Sequence, residues 1–316
     1  MTTRWRTWRE AMTDALYGDR GFYTVTGVAA RHFRTAAHTG STWTDAIAEL
    51  AGRVDDALGN PDDFTVVDVG AGAGEVLAGL AQVAPARWSL TGVDVADRPS
   101  ELPTRVGWQR QFPNAVRGLV VALELLDVIP VDVVELGDDV PQIVEVDEDG
   151  TERLGAPACA DDRDWLARWW PLRLRGDRAE IGAPRDRLWR ELTDGLEAGL
   201  AAAVDYAANP QEHVAGTLSG YRNGRHRDPV PDGSMDLTAH VLFESMRRDG
   251  DLLLTQREAL RRLGVDASPP EYDADPSHYL AELTRATEVA ELLNPEGLGG
   301  FTWLLHPVGI APLPLG

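Results

Sequence analysis

Lysine is absent from this chain of 316 residues: its 30 basic residues are all arginine, set against 51 aspartates and glutamates for a net charge of −21. Without lysine there is no Schiff-base chemistry and no P-loop lysine. The arginines are scattered among acids rather than clustered, so the counterion release that drives nucleic-acid binding is not expected. The acidic excess keeps a surface solvated, and it also suits steering of a cationic substrate.

Cysteine is nearly absent. Cys159 alone cannot close an internal disulfide, and Met1–Met12 carries arginine and tryptophan instead of an apolar secretory core, which predicts a cytoplasmic protein. Long apolar runs are missing as well: the most apolar stretch, Gly118–Val134, is broken by Glu124, Asp127 and Asp132. It falls short of the ~20 residues a spanning helix needs, so no membrane partner is expected. No Gly-x-Ser-x-Gly elbow is present, and His213, His226 and His240 follow no metal-ligand spacing, so neither that class of hydrolase nor a metal site is expected. No feature specifies an oligomeric state.

What is present is an ordinary globular composition, 43% hydrophobic with 31 glycines and 20 prolines spread along the chain. Arg4–Tyr17 and Ser41–Leu58 read as helices, the second capped by Ser41 or Thr42, joined by a loop holding Gly21, Gly27 and Gly40; residues 1–60 form a helical extension. Residues 61–316 read as the main domain. Phe64–Val69 is a β-branched strand, Gly70–Gly74 a glycine turn and Glu75–Val83 a helix. Trp88–Val95, Leu119–Leu123 and Ala201–Tyr206 are further strands, with Arg185–Leu200 a helix between them, and this alternation predicts an α/β fold whose parallel sheet has helices on both faces.

Two insertions interrupt that pattern, near residues 131–185 and 208–240. Val131–Leu154 alternates apolar and polar residues between turns and predicts antiparallel hairpins. Asn209–Asp236 is rich in glycine and proline and reads as a long functional loop carrying Tyr221. Trp165, Trp169 and Trp170 pack a helix.

The chemistry concentrates in Asp68-x-Gly70-Ala71-Gly72-x-Gly74, where glycines admit a ligand close to the backbone. Glu75 occupies the place where a dinucleotide fingerprint has Gly or Ala, and its carboxylate opposes a pyrophosphate at the helix start, which disfavours NAD and FAD. Asp94, beside Val95 at the end of the next strand, is placed to grip both ribose hydroxyls or to cap a helix. S-adenosyl-L-methionine has that ribose, no phosphate and an amino-acid end. Glu124 and Asp127 follow a buried strand and suit a guanidinium grip, general-base work or helix capping.

The chain resembles class I S-adenosylmethionine-dependent methyltransferases, and within them the MidA-like family, over nearly its whole length. The resemblance rests on Tyr17-Gly18 with Gly21-Phe22-Tyr23, on Asp68–Gly74, on Glu124–Val131, on Val204-Asp205-Tyr206, and on Gly216-Thr217-Leu218 through Tyr221 to Asp236–Val241. It implies a Rossmann-like core with extra elements and, from the family's mitochondrial member, methylation of a protein arginine. Asp68, Gly70, Ala71, Gly72, Gly74, Asp94, Val95 and Glu124 would then hold the cofactor. Glu124, Asp127, Asp205 and Tyr206 would serve catalysis, and Tyr23, Tyr221 and His240 the substrate. Leu123 replaces a usual Asn, Leu242 a frequent Asp, and Arg31–Thr35 an acidic, longer loop. Those departures leave room for a cofactor-binding assembly factor or for a small-molecule acceptor.

Overall fold

The computed structural model describes residues 4–24, 41–266, 276–310 and 315. Gly27, Gly40 and the Arg31–Thr35 segment lie outside them. The chain divides into two units, one of residues 34–124, 192–206 and 248–316, the other of residues 1–33, 125–191 and 207–247. It is a mixed α/β protein with seven α-helices among the described residues.

The first unit is built on a seven-stranded sheet. Its strands are β1 (Thr65–Val69), β2 (Ser89–Val93), β3 (Val106–Gln109), β4 (Val116–Leu123), β5 (Leu196–Asp205), β6 (Leu252–Thr255) and β7 (Thr302–Val308), in the spatial order β6-β7-β5-β4-β1-β2-β3. From β5 to β3 all neighbours are parallel, and β7 runs antiparallel between β5 and β6. Buried residues follow one another without alternation along β1, β4 and β5, the mark of strands covered on both faces. The core joins Trp43, Ile47 and Leu50 of the helix Ser41–Ala57 to Leu77, Leu119, Leu200 and Trp303.

Two expectations are corrected in this unit. The sheet is mixed rather than parallel, because β7 enters between two earlier strands. The helix expected over Arg185–Leu200 spans Ala183–Asp194, and Leu196–Leu200 already belongs to β5. The Ala- and Leu-rich run has helical propensity, but pairing on both sides in a buried sheet outweighs it.

The helix Gln256–Arg262 shows what fixes a boundary locally. Thr255 Oγ1 accepts the Glu258 amide at 3.2 Å while the Glu258 carboxylate accepts the Thr255 amide at 2.9 Å, a reciprocal capping box. Thr255→Ala is expected to cost about 1 kcal/mol and to lower the thermal midpoint by a few degrees, read by circular dichroism. An unchanged midpoint would mean that the cap holds nothing.

The second unit carries a five-stranded antiparallel sheet of Arg6–Thr7, Val133–Leu136, Pro141–Val146, Glu152–Pro157 and Arg178–Glu180. The hairpins expected over Val131–Leu154 are thus present. The N-terminal segment opens with a short strand paired to Glu145 and Val146, and the helix begins only at Trp8, capped by Thr7. Trp8, Met12 and Leu16 of that helix pack with Val131, Val146 and Leu237. Leu166 and Trp170, at the end of the helix Ala160–Trp169, pack with Val134, Ala179 and Leu242.

Within Asn209–Asp236, expected as loop, Ser219–Arg222 and Arg225–Arg227 form an antiparallel hairpin and Asp236–Thr238 completes a three-stranded sheet. Asn223 and Gly224 both adopt positive φ, at 53° and 68°, the backbone of a two-residue hairpin turn. The Asn-Gly pair carried that signal, and the surrounding glycines and prolines obscured it. Among the described residues no helix is long and apolar enough to cross a membrane.

Candidate active site

The order of the parallel strands reverses between β1 and β4, which is where open α/β sheets bind ligands beyond the strands' carboxyl ends. The glycine turn leaves β1 there. Gly70, Gly72 and Gly74 take φ of 76°, 56° and 76°, a region costly for any residue with a Cβ. The Gly70 amide donates to Val93 O at 2.8 Å, anchoring the turn to the end of β2. A Cβ on Gly72 would meet nothing within 4 Å, so the turn faces open space, whereas one on Gly74 would strike Leu102 Cδ1 at 2.8 Å.

Asp94 follows β2 and binds this turn directly. Its carboxylate accepts the Gly72 amide at 2.9 Å and the Ala96 amide at 2.8 Å. A carboxylate offers about four acceptor positions, so these two bonds leave capacity for two hydroxyls. Val95 beside it is largely exposed, and its carbonyl accepts from Arg110.

Asp68 is the unsatisfied group of this site. It is only 3% exposed, and its Oδ1 has no hydrogen-bond partner among the described residues. Burial, then the negative charges of Asp94 and Glu75, push its carboxyl up to about 7. A buried acid without a donor is a costly arrangement that a cationic or donor-bearing ligand relieves.

At the end of β4, Glu124 is half-buried with φ of 49°, a left-handed conformation costly for glutamate, held by its amide's bond to Val204 O at 2.9 Å. Asp205 closes β5, wholly buried, with Oδ1 accepting the Tyr206 amide at 2.9 Å. Tyr206 is 41% exposed, and its ring lies 4.1 Å from that of Phe301 between centroids. One unit therefore brings Asp68, Gly70–Gly74, Asp94, Val95, Glu124, Asp205 and Tyr206 to the carboxyl ends of its parallel strands.

The remaining sequence candidates fall in the second unit. Tyr23 stacks on Tyr17 with centroids 5.7 Å apart, and its hydroxyl is hydrogen-bonded to Asp236. Asp236 is 3% exposed, and burial followed by the charge of Asp127 pushes its carboxyl up to about 7. Asp127 is also raised by burial, with the Arg185 guanidinium acting in the opposite direction. The Tyr221 hydroxyl is raised by burial and then by Asp127 and Asp236. Tyr23, Asp127 and Tyr221 thus share one acid and aromatic cluster around Asp236.

His240 does not belong to that cluster by its side chain. Its ring meets His213 edge-on at 5.0 Å, and burial followed by His213 lowers its pKa. Arg185, itself buried, donates to the His240 carbonyl at 2.7 Å and to the Asp127 carbonyl at 3.0 Å. Glu180 accepts the Thr217 amide at 2.7 Å, the Thr217 hydroxyl at 3.0 Å and the Leu218 amide at 3.0 Å, fixing the Gly216-Thr217-Leu218 turn. Asp236, Arg185 and Glu180 were not singled out from sequence. Asp236 stood in a quoted motif, but its burial was invisible; Arg185 and Glu180 gave no local signal. Among the described residues no three His, Cys, Asp or Glu side chains are grouped to hold a metal ion.

A doubly wound sheet with a glycine turn, an orphaned buried carboxylate and a second acid one strand away defines an enzyme class that binds a nucleoside bearing a cationic tail. The chain belongs to the family described as "Putative S-adenosyl-L-methionine-dependent methyltransferase", whose model matches residues 80–257, more than half its length. It is an S-adenosyl-L-methionine-dependent methyltransferase, and S-adenosyl-L-methionine is its cofactor.

The fold is shared with a COG1565 superfamily member from Burkholderia thailandensis, crystallised bound to S-adenosyl-homocysteine, at a TM-score of 0.81 and 23% identity over 97% of this chain and 88% of that one. A native structure of an uncharacterised superfamily protein from the same organism matches with a TM-score of 0.81 and 24% identity, covering 98% and 90%. No curated protein matches the sequence.

Proposed function

We propose that this methyltransferase acts in the cytoplasm on an arginine side chain of a protein. The observation that carries the reading is the buried cluster of Asp127 and Asp236 among Tyr17, Tyr23 and Tyr221. Carboxylates beside aromatic faces recognise a cation, and a planar guanidinium fits a paired carboxylate grip. The resemblance to MidA-like proteins supports the same acceptor.

The residues around the glycine turn fit the cofactor. Asp68 receives its ammonium group, Asp94 its ribose hydroxyls, and the backbone from Gly70 through Ala71 and Gly72 to Gly74 forms the wall, with Val95 alongside. Bound there, S-adenosyl-L-methionine supplies an electrophilic methyl carbon. Glu124, with Asp205 and Tyr206 nearby on the same sheet, orients the reacting groups, since displacement at methyl depends mainly on in-line alignment. In the second unit, Asp127 and Asp236 would pair with the positive charge of the acceptor's guanidinium. The Tyr23 hydroxyl holds the Asp236 carboxylate in place, Tyr221 flanks it, and His240 supports the substrate side through its backbone bond to Arg185.

The test incubates the protein with methyl-labelled S-adenosyl-L-methionine and a desalted host extract, beside the Glu124→Ala and Asp236→Asn proteins. Label is expected in protein and, after acid hydrolysis, in methylarginine, with Asp236→Asn lowering it roughly tenfold, as loss of one charged partner predicts. Label in small molecules alone, or none despite verified cofactor binding, would reject the protein-arginine reading.

A further inference from the structure

In a chain of net charge −21, the second unit gathers three arginines on one hairpin face. In the hairpin of Ser219–Arg222 and Arg225–Arg227, Arg222 lies directly opposite Arg225 and Arg227 lies opposite Gly220. Residues two apart on a strand share a face, so Arg222, Arg225 and Arg227 all stand on one side of the hairpin. All three are exposed, and among the described residues none forms an ion pair. Elsewhere arginines meet carboxylates repeatedly, as Arg178 does with Glu135 and Glu152.

The arrangement is unfavourable in isolation, because like charges directly opposite on neighbouring strands repel. The turn at Asn223-Gly224 nevertheless holds it, and the opposite face is tied by the contact of His226 Nε2 with Ser219 Oγ at 3.1 Å and by the Tyr221 and His226 rings at 5.6 Å. Arg225–Arg227 is also an edge strand, with no strand paired on its outer side among the described residues. The face turned away from the arginines carries Tyr221, which belongs to the acid and aromatic cluster.

We propose that this arginine face and open edge dock an extended, acidic segment of the protein substrate, an inference that rests on the substrate being a protein. The segment adds a strand to Arg225–Arg227, and its carboxylates neutralise the three guanidinium groups. The hairpin then selects substrates with acidic residues near the modified side chain.

The experiment uses the whole protein and three fluorescent probes, a glutamate-rich decapeptide, a serine-rich decapeptide and a single-stranded DNA of matched charge, followed by anisotropy at low and high salt. The glutamate probe is expected to bind at least tenfold more tightly than the serine probe, with the preference shrinking at high salt. Combining Arg222→Ser, Arg225→Ser and Arg227→Ser is expected to abolish the preference while cofactor binding persists. The triple Arg→Lys protein retains the charge and is expected to keep the preference, which decides the matter even if the serine form fails to fold. Equal binding of the two peptides, a preference surviving the serine changes, its loss in the lysine form, or tighter binding of the DNA would each overturn the proposal. Because the readout is binding, a glutamate preference without labelled methylarginine would reject the arginine acceptor and leave the docking surface standing.

Discussion

Asp94→Ala is expected to weaken S-adenosyl-L-methionine binding between roughly tenfold and a hundredfold, because each charge-assisted hydrogen bond lost to an ionised group costs about 1.5–3 kcal/mol. The change strikes twice. It removes the acceptor proposed for the ribose, and it releases the Gly72 amide at 2.9 Å and the Ala96 amide at 2.8 Å that the carboxylate holds in the ligand-free turn. Isothermal titration separates the two losses through Asp94→Asn. The asparagine side chain keeps one acceptor oxygen for the turn but surrenders the charge, so its affinity is expected to fall between those of the native and alanine proteins. An Asp94→Ala protein with native affinity would remove Asp94 from the cofactor site and leave it as a brace of the turn.

Cofactor affinity is also expected to fall about tenfold between pH 8 and pH 6, through Asp68. Its carboxyl is pushed up to about 7 by burial and by Asp94 and Glu75. If the cofactor's ammonium binds only the ionised form, the apparent dissociation constant is nearly flat above pH 7 and rises about tenfold per unit below it. Asp68→Asn has no proton to lose there and is expected to bind weakly with no such slope. Titrations at several pH values check both statements, and an identical slope in the two proteins would place the titrating group elsewhere.

The sign for the free protein is the reverse of the usual carboxylate case. The folded-state value lies above the ordinary 3.8, so between about pH 4 and pH 7 the folded chain binds a proton that the unfolded chain has lost. Asp68 therefore lowers stability as pH rises through that window. A bound ammonium partner favours the ionised form and offsets the loss, so thermal stabilisation by cofactor is expected to be larger at pH 8 than at pH 6.

Local signals in the sequence were strong where short-range physics decides. The β-branched run of β1, the glycines that require positive φ, and the helix Glu75–Val83 were legible because strand, turn and helix there each depend on neighbouring residues. The place of Asp94 just beyond β2 was legible because the strand before it is a local signal. The hairpins of Val131–Leu154 announced themselves by alternation.

Tertiary structure decided the rest, for reasons of long-range pairing and burial. The insertion of β7 between β5 and β6 depends on partners a hundred residues apart in sequence for β5 and about fifty for β6, so no local pattern could announce a mixed sheet. The strand conformation of Leu196–Leu200 follows from the same pairing, against its helical propensity. The raised carboxyls of Asp68 and Asp236 are properties of burial, which composition does not contain. The sharing of one hairpin face by three arginines needed the register that sets Arg222 opposite Arg225. The chain alone determined which chemistry it can offer a cofactor, while folding determined which of its acids are pushed toward the protonated form and which of its arginines share one hairpin face.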